Sequence, residues 1–351
     1  MTAMVSERML AILVSALFLS AWPSAWAAGA SSGEVPRTMQ AAAIDAAGDS
    51  SALTLHTLPV PELDANEVLI ALDTAGVAVW DIGIRRHPTE IKHSHFPLVL
   101  GTDGSGTIAA IGSGVHDFKI GDRVYSYSWD NPKGGFYAQY VAVPAERVGH
   151  IPNGLSLTQA GAIGTTALTA LQGVDDALHL EAGQTVIIHG ASGGVGSLAV
   201  QFAKLRGARV LATASGQDGA AFVKQLGADE VVDSRTGDIV AVARKFFPAG
   251  IDAVLAFTGG ESFERCIDAL RSGGKVAFPN GVDPPRARTG VSPIAYDAIA
   301  RAPEFERLNQ AIQQSHLRVP IAAEYPLAQA AQAQERVAAG HVLGKIVLRI
   351  H

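Results

Sequence analysis

Cysteine is almost missing: the 351-residue chain has one, Cys266. A single thiol cannot close an internal disulfide, and it excludes a cysteine-rich structural zinc site. It lies in ESFERCIDAL, whose apolar spacing is helical, so Cys266 is read as core packing. Basic runs are missing too. With a net charge of -6, nothing supports a nucleic-acid or anionic-membrane partner, which would need clustered Lys and Arg. Apolar residues make up 48% and charged residues 17%, enough for a sizeable core in one large or two ordinary domains. The chain has no internal repeat and no low-complexity linker.

The N-terminus reads as a targeting segment. Arg8 precedes an apolar run from Met9 to Trp22, and Ala25-Trp26-Ala27 follows as a small-x-small cleavage pattern. The run is shorter than the roughly 20 residues a membrane span needs. Residues 1–27 are therefore expected to be an export signal, leaving no stable span after removal and a periplasmic or secreted product. The alternative is a cytoplasmic enzyme that starts at Met39, since MQAAAIDAAG resembles such a start.

The following stretch has short β segments broken by Gly and Pro, such as Glu67 to Leu72, Gly106 to Ile111 and Tyr137 to Val143. This predicts a β-rich domain over 35–154. From Leu155 the rhythm changes to alternating helices and strands. Strands are predicted at Thr185–His189, Arg209–Thr213, Glu230–Asp233, Ala253–Phe257 and Lys275–Phe278. Helices between them include Gly196–Leu205 and Ala220–Leu226. The chain is therefore α/β, with a doubly wound parallel sheet over 155–287. Residues 288–351 should supply two helices, a strand around Val319 and a closing strand, Gly344–Ile350, that returns to the first domain.

The strongest local signal is VIIHGASGGVGSLAVQFAKLRGARVLATAS, residues 186–215. A strand runs into Gly190-Ala191-Ser192-Gly193-Gly194-Val195-Gly196, then a helix, then a second strand. A dinucleotide pyrophosphate needs free backbone N–H groups at a helix N-terminus and a loop without side chains to let it approach. The second strand ends Ala212-Thr213-Ala214-Ser215, where an NAD site usually places an acid for the ribose 2′-OH. NADPH is therefore expected, with NADH as the alternative and Asp218 a nearby acid.

With this loop, PLVLGTDGSGTIAAIGSGV (97–115), FKIGDRVY (118–125), GGFYAQYVAVP (134–144) and GHVLGKIVL (340–348) make the chain resemble the medium-chain dehydrogenase/reductase superfamily. The resemblance is to its zinc-free quinone oxidoreductase-like branch, and it runs from Met39 to the end. It implies a GroES-like β-rich catalytic domain with a Rossmann domain inserted, and a homodimer. Zinc relatives place Cys after a Gly-Val pair and His-Glu after a Leu-Gly pair; here those places hold Ala78 and Thr102-Asp103, with the third ligand near Thr165. No metal is expected, and His87, His93 and His95 are read as a solvated loop.

The resemblance further implies site residues. Val77 to Asp81 would line the nicotinamide pocket, where Ala78 replaces a usual Asn and Trp80 walls the substrate or fills core. Asp81 and Tyr127, with Tyr125 beside it, are candidate catalytic groups. Thr169 would touch the nicotinamide, Thr258, Phe278, Asn280 and Gly281 would flank the cofactor, and Lys345 sits in the terminal Gly-Lys pair. A basic residue that grips the 2′-phosphate just after Ser215 is replaced by Gly219, and Arg235 is the substitute.

The implied activity is NAD(P)H-dependent hydride transfer to a small-molecule quinone or an activated C=C, whose conjugation needs no metal to spread the developing charge. Two alternatives are an enoyl-thioester reductase and a non-catalytic, crystallin-like or sensory NADPH-binding protein. No basic groove for CoA phosphates is visible in the sequence.

Overall fold

The structure is a computed structural model that describes residues 35–90 and 95–350. The expected export signal and His93 lie outside the described residues. Early in the chain, alternating and Val/Ile-rich runs produce strands. β1 (Thr38–Ile44) and β2 (Thr54–Pro59) pair antiparallel. β3 (Glu67–Val77) is the longest strand, and its burial at nearly every position shows that both its faces are covered. A short helix, α1 (Val79–Arg86), leaves its end. Then come β4 (Leu98–Val99), β5 (Asp103–Ile111), β6 (Arg123–Tyr127), β7 (Tyr140–Pro144) and β8 (Val148–His150).

α2 (Leu157–Gly161) and α3 (Gly164–Gln172) lead into the alternating half. There β9 (Thr185–His189), α4 (Gly194–Leu205), β10 (Arg209–Ala214), α5 (Gly216–Gln225), β11 (Glu230–Asp233), α6 (Ile239–Phe246), β12 (Ile251–Ala256), α7 (Glu261–Asp268), β13 (Leu270–Pro279) and β14 (Ile294–Tyr296) follow in turn. These strands form one parallel sheet in the order β11-β10-β9-β12-β13-β14. The order reverses between β9 and β12, which opens a crevice at their carboxyl ends. Both faces of this sheet carry an apolar core, one including Phe202, Leu198 and Ile188, the other Ile187, Val254 and Phe263.

The sheet extends past residue 287, because β14 adds a sixth strand. A three-residue strand after a Pro-rich stretch carries too little alternation to be read from sequence. The chain then passes through α8 (Ala302–Ser315), β15 (Ile321–Pro326) and α9 (Ala330–Ala338) to β16 (Lys345–Arg349). β16 pairs parallel with β15 and antiparallel with β3. The end of the chain thus returns to the seven-stranded sheet β15-β16-β3-β5-β6-β8, in which β7 also pairs with β3. A third core fills this part, with Ile70, Val124, Phe136 and Leu348 fully buried. Among the described residues no helix is long and apolar enough to cross a membrane.

Candidate active site

The phosphate loop stands where β9 runs into α4. Gly190 has φ +76°, a left-handed conformation that favours glycine. A Cβ on Gly196 would overlap the carbonyl oxygen of Gly190, so the helix can seat on the loop only with glycine there. Gly193 is the N-cap of α4, and no side chain caps it. A Cβ there would face open space, its nearest neighbour the Gly190 oxygen at 3.6 Å. A helix N-terminus carries backbone N–H groups without intrahelical partners and a partial positive charge. An uncapped terminus behind a bare loop suits a pyrophosphate.

His189 and Thr213 brace the loop from beneath. His189 Nδ1 lies 2.7 Å from Thr213 Oγ1, and Gly190 N donates to the same oxygen at 3.1 Å. His189 Nε2 is 3.2 Å from Ser262 Oγ. Burial lowers the His189 pKa to about 4, so the ring is neutral near neutral pH and holds the loop by hydrogen bonds alone.

A cleft of about 420 Å³ opens above this loop, within the range of small-molecule sites. Its walls include Gly190, Ser192, Gly193, Gly194, Val195, Ser215, Arg235, Thr258 and Lys345. Nine of the residues expected to bind cofactor are therefore together. Ala191 is fully buried in the loop behind the wall. Four others stand apart from it. Thr169 is buried on α3 with its hydroxyl bonded to Thr165 O at 2.8 Å, and Thr166, one turn nearer, reaches the wall instead. Phe278 packs edge-on to Phe263 at 6.0 Å in the core. Asn280 and Gly281 are exposed, with the Asn280 amide donating to Asp297 at 2.7 Å.

The opposite wall is Val77, Ala78, Val79 and Trp80, at the end of β3 and the start of α1. Trp80 Nε1 donates to Thr102 Oγ1 at 2.8 Å. Lys345 Nζ lies 4.9 Å from the centre of the same indole ring and is buried without a hydrogen-bond partner, an arrangement ready for an anionic or polar ligand atom. Ala78, Thr102 and Thr165 bring no thiolate, imidazole or carboxylate to the place where zinc relatives hold their metal. These residues do not fit a zinc ion. Among the described residues no group of three or more His, Cys, Asp or Glu lies together to hold a metal.

The two catalytic candidates are not on the cleft wall. Asp81 is fully buried behind it, and its Oδ2 accepts from Ala78 N and Tyr137 OH, each at 2.8 Å. Burial raises its pKa to about 7, opposed by the Lys345 cation and these hydrogen bonds. Asp81 thus fixes the backbone that carries Ala78 to Trp80. Tyr127 is largely buried, which pushes its phenol well above the usual range. Tyr125 OH is committed to Asn309 Oδ1 at 2.8 Å.

Sequence reasoning missed His189, Ser234, Ser262 and His341 on this cleft. His189 was in view, directly before the first loop glycine; the others come from separate elements with no shared motif.

A parallel nucleotide-type sheet, an uncapped phosphate loop and a cleft against a second sheet define a dinucleotide-dependent oxidoreductase. Comparison with known proteins agrees. Residues 64–153 match the family model of the alcohol dehydrogenase GroES-like domain, and residues 226–348 that of zinc-binding dehydrogenases. The chain is 33% identical to the quinone oxidoreductase of Sus scrofa over 304 residues, covering 83% of this chain and 91% of that one. The structure of quinone oxidoreductase from Coxiella burnetii is similar with TM-score 0.79 at 29% identity, over 90% of this chain and 100% of that one. A mycobacterial protein solved in complex with NADPH gives TM-score 0.79 at 26% identity, over 89% and 100%. The chain belongs to the medium-chain dehydrogenase/reductase superfamily, in its quinone oxidoreductase-like branch, and is an NAD(P)-dependent oxidoreductase enzyme.

Proposed function

We propose that the protein is a zinc-independent reductase that transfers hydride from NADPH to a quinone or an activated C=C bond of an enone or enal. The observation that carries this reading is the Trp80–Thr102 hydrogen bond beside Ala78. It supports the reading because an indole, rather than a metal ligand, would stand beside an acceptor carbonyl there.

Gly193, Gly194 and the start of α4 would hold the pyrophosphate, Thr166 and Thr258 would flank the nicotinamide, and Ser215 with Arg235 would meet the adenosine 2′-phosphate. The bound nicotinamide supplies a hydride. Val77, Ala78, Val79 and Ile346 give the catalytic end an apolar wall that excludes water and seats a flat, conjugated acceptor. Lys345 contributes a buried positive charge at the same end. Among the described residues the wall presents no phenol, so the reduced acceptor would take its proton from solvent once the product leaves the apolar wall.

The test is cofactor oxidation by purified protein with quinones, enones and simple ketones, with and without a chelator. The expected result is turnover with quinones or enones that the chelator leaves unchanged. Reduction of simple ketones that requires added zinc would overturn the reading.

The Arg8, Met9–Trp22 and Ala25–Ala27 pattern supports export, and mass spectrometry of the native N-terminus should find Ala28 first; Met39 or Gln40 would show a cytosolic enzyme. A homodimer is proposed from the family resemblance, with light scattering as its test.

A further inference from the structure

α1 and α9 pack against each other over one apolar core, to which α1 gives Ile84 and α9 gives Ala330 and Ala333. Two polar side chains are sealed into the same seam. Arg85, in the last turn of α1, is 3% exposed, and Gln334 of α9 is fully buried. Arg85 Nε and Nη1 and both polar atoms of the Gln334 amide are buried without hydrogen-bond partners among the described residues. Tyr137 is their common neighbour. Its hydroxyl, which donates to Asp81 Oδ2 at 2.8 Å, lies against the Gln334 amide and is among the groups around Arg85.

A guanidinium stays cationic in a protein, and burying it without a counter-charge is strongly destabilising. The charged groups around Arg85 do not supply one. Arg86 is an exposed cation that adds to the positive potential. Asp49 accepts from Ser51 N at 2.9 Å and from Ser51 Oγ at 2.6 Å, and Glu335 accepts from Ser50 Oγ at 2.5 Å. Both carboxylates act on Arg85 from a distance, without closing an ion pair. Water could meet the orphaned N–H groups, but it brings no charge.

We propose that Arg85 and Gln334 form a buried site for a small monovalent anion of the chloride class. Arg85 Nε and Nη1 would donate to it, and Gln334 would turn its NH₂ toward it. The enclosure sets the size: a halide can pass between packed helices, whereas an organic carboxylate or a phosphate ester cannot. Neither residue lines the cleft, so the site is separate from that of the dinucleotide. The anion would fasten α1 to α9, and α1 begins with Val79 and Trp80 of the cleft wall.

The test uses the full protein with bromide in place of chloride. Anomalous scattering from crystals grown in bromide should show a peak against Arg85 Nε and Nη1. In solution, Tm in sodium chloride should exceed Tm in sodium gluconate of equal ionic strength by about 2–4 °C, once the halide stands roughly tenfold above its Kd. Gln334→Glu brings a carboxylate within reach of Arg85 and so supplies the negative charge covalently. It should keep the higher Tm in gluconate and lose the difference between the two salts. Arg85→Met keeps an unbranched stem without the charge and should also lose the difference; if it fails to fold, Gln334→Glu and the bromide crystals decide. No bromide peak at Arg85, or equal Tm values in the two salts, would leave a seam filled by water alone and overturn the inference. A salt difference that persists in Gln334→Glu would place the halide effect elsewhere on the protein and overturn it as well.

Discussion

Trp80 Nε1 and Thr102 Oγ1 are joined at 2.8 Å where Trp80 forms part of the cleft wall. The bond uses the only donor of the indole, so Trp80 has none left to offer an acceptor oxygen. It also satisfies a hydroxyl on a residue that is 2% exposed. Trp80→Phe should cost about 1–3 kcal/mol through the stranded Thr102 hydroxyl, seen as a lower Tm, with quinone turnover retained. Trp80→Ala should raise KM for small quinones by about tenfold, because the flat wall that orients them is gone. Unchanged KM in Trp80→Ala would mean that the acceptor sits elsewhere.

Gly193 and Gly196 differ in what a methyl group would meet, and their alanine variants should differ accordingly. At Gly193 a Cβ points into the open cleft. Gly193→Ala should leave Tm within about 1 °C yet weaken dinucleotide binding at least tenfold, measured by titration. At Gly196 the Cβ runs into the Gly190 carbonyl. That variant should lose about 1–3 kcal/mol of stability by overpacking as well as binding.

Asp81 should make stability depend on pH. Burial pushes its carboxyl up from the ordinary carboxylate range to about 7 in the folded chain. The folded state therefore keeps a proton that the unfolded state releases. This contribution is full below about pH 4 and is lost as pH rises through about 7. Asp81→Asn should flatten the fall in stability between about pH 5 and about pH 8, an effect on the order of a few kcal/mol in the unmodified protein. Denaturant melts at both pH values measure it. Equal slopes for the two proteins would assign the raised value to some other group.

Lys345 should serve both cofactor forms alike, since its stem lies against the phosphate loop, with Cδ 3.4 Å from an ideal Cβ on Gly194. Lys345→Met is expected to weaken NADPH and NADH by a similar factor, about tenfold. A loss confined to NADPH would place Lys345 at the adenosine phosphate instead.

The phosphate loop was legible because strand, glycines and helix are consecutive, and each glycine answers a local steric demand. The parallel sheet was legible for a similar reason: its β-α alternation is written in order along the chain. The cleft's far rim was not. His341 reaches it from the last loop before β16, and no spacing in the sequence relates it to Asp218, whose Oδ2 lies 2.8 Å from its Nε2. Thr169 illustrates a subtler limit. It shares a helix face with Thr166 one turn away, and only the position of α3 along the cleft decides which hydroxyl is exposed to the ligand. Phe278 stands away from the cleft wall because strand alternation turns it toward Phe263 in the core beneath the sheet.

The last strand has a consequence for the order in which the molecule is made. Ser192 emerges from the ribosome well before Gly344, yet Gly344 N closes on Ser192 O and Lys345 completes the wall. During translation the glycine loop is therefore present while the cleft is still open on one side. Dinucleotide capture should begin only once the final strand has zipped onto β3, and a C-terminal truncation before Gly344 should yield a chain unable to retain its nucleotide.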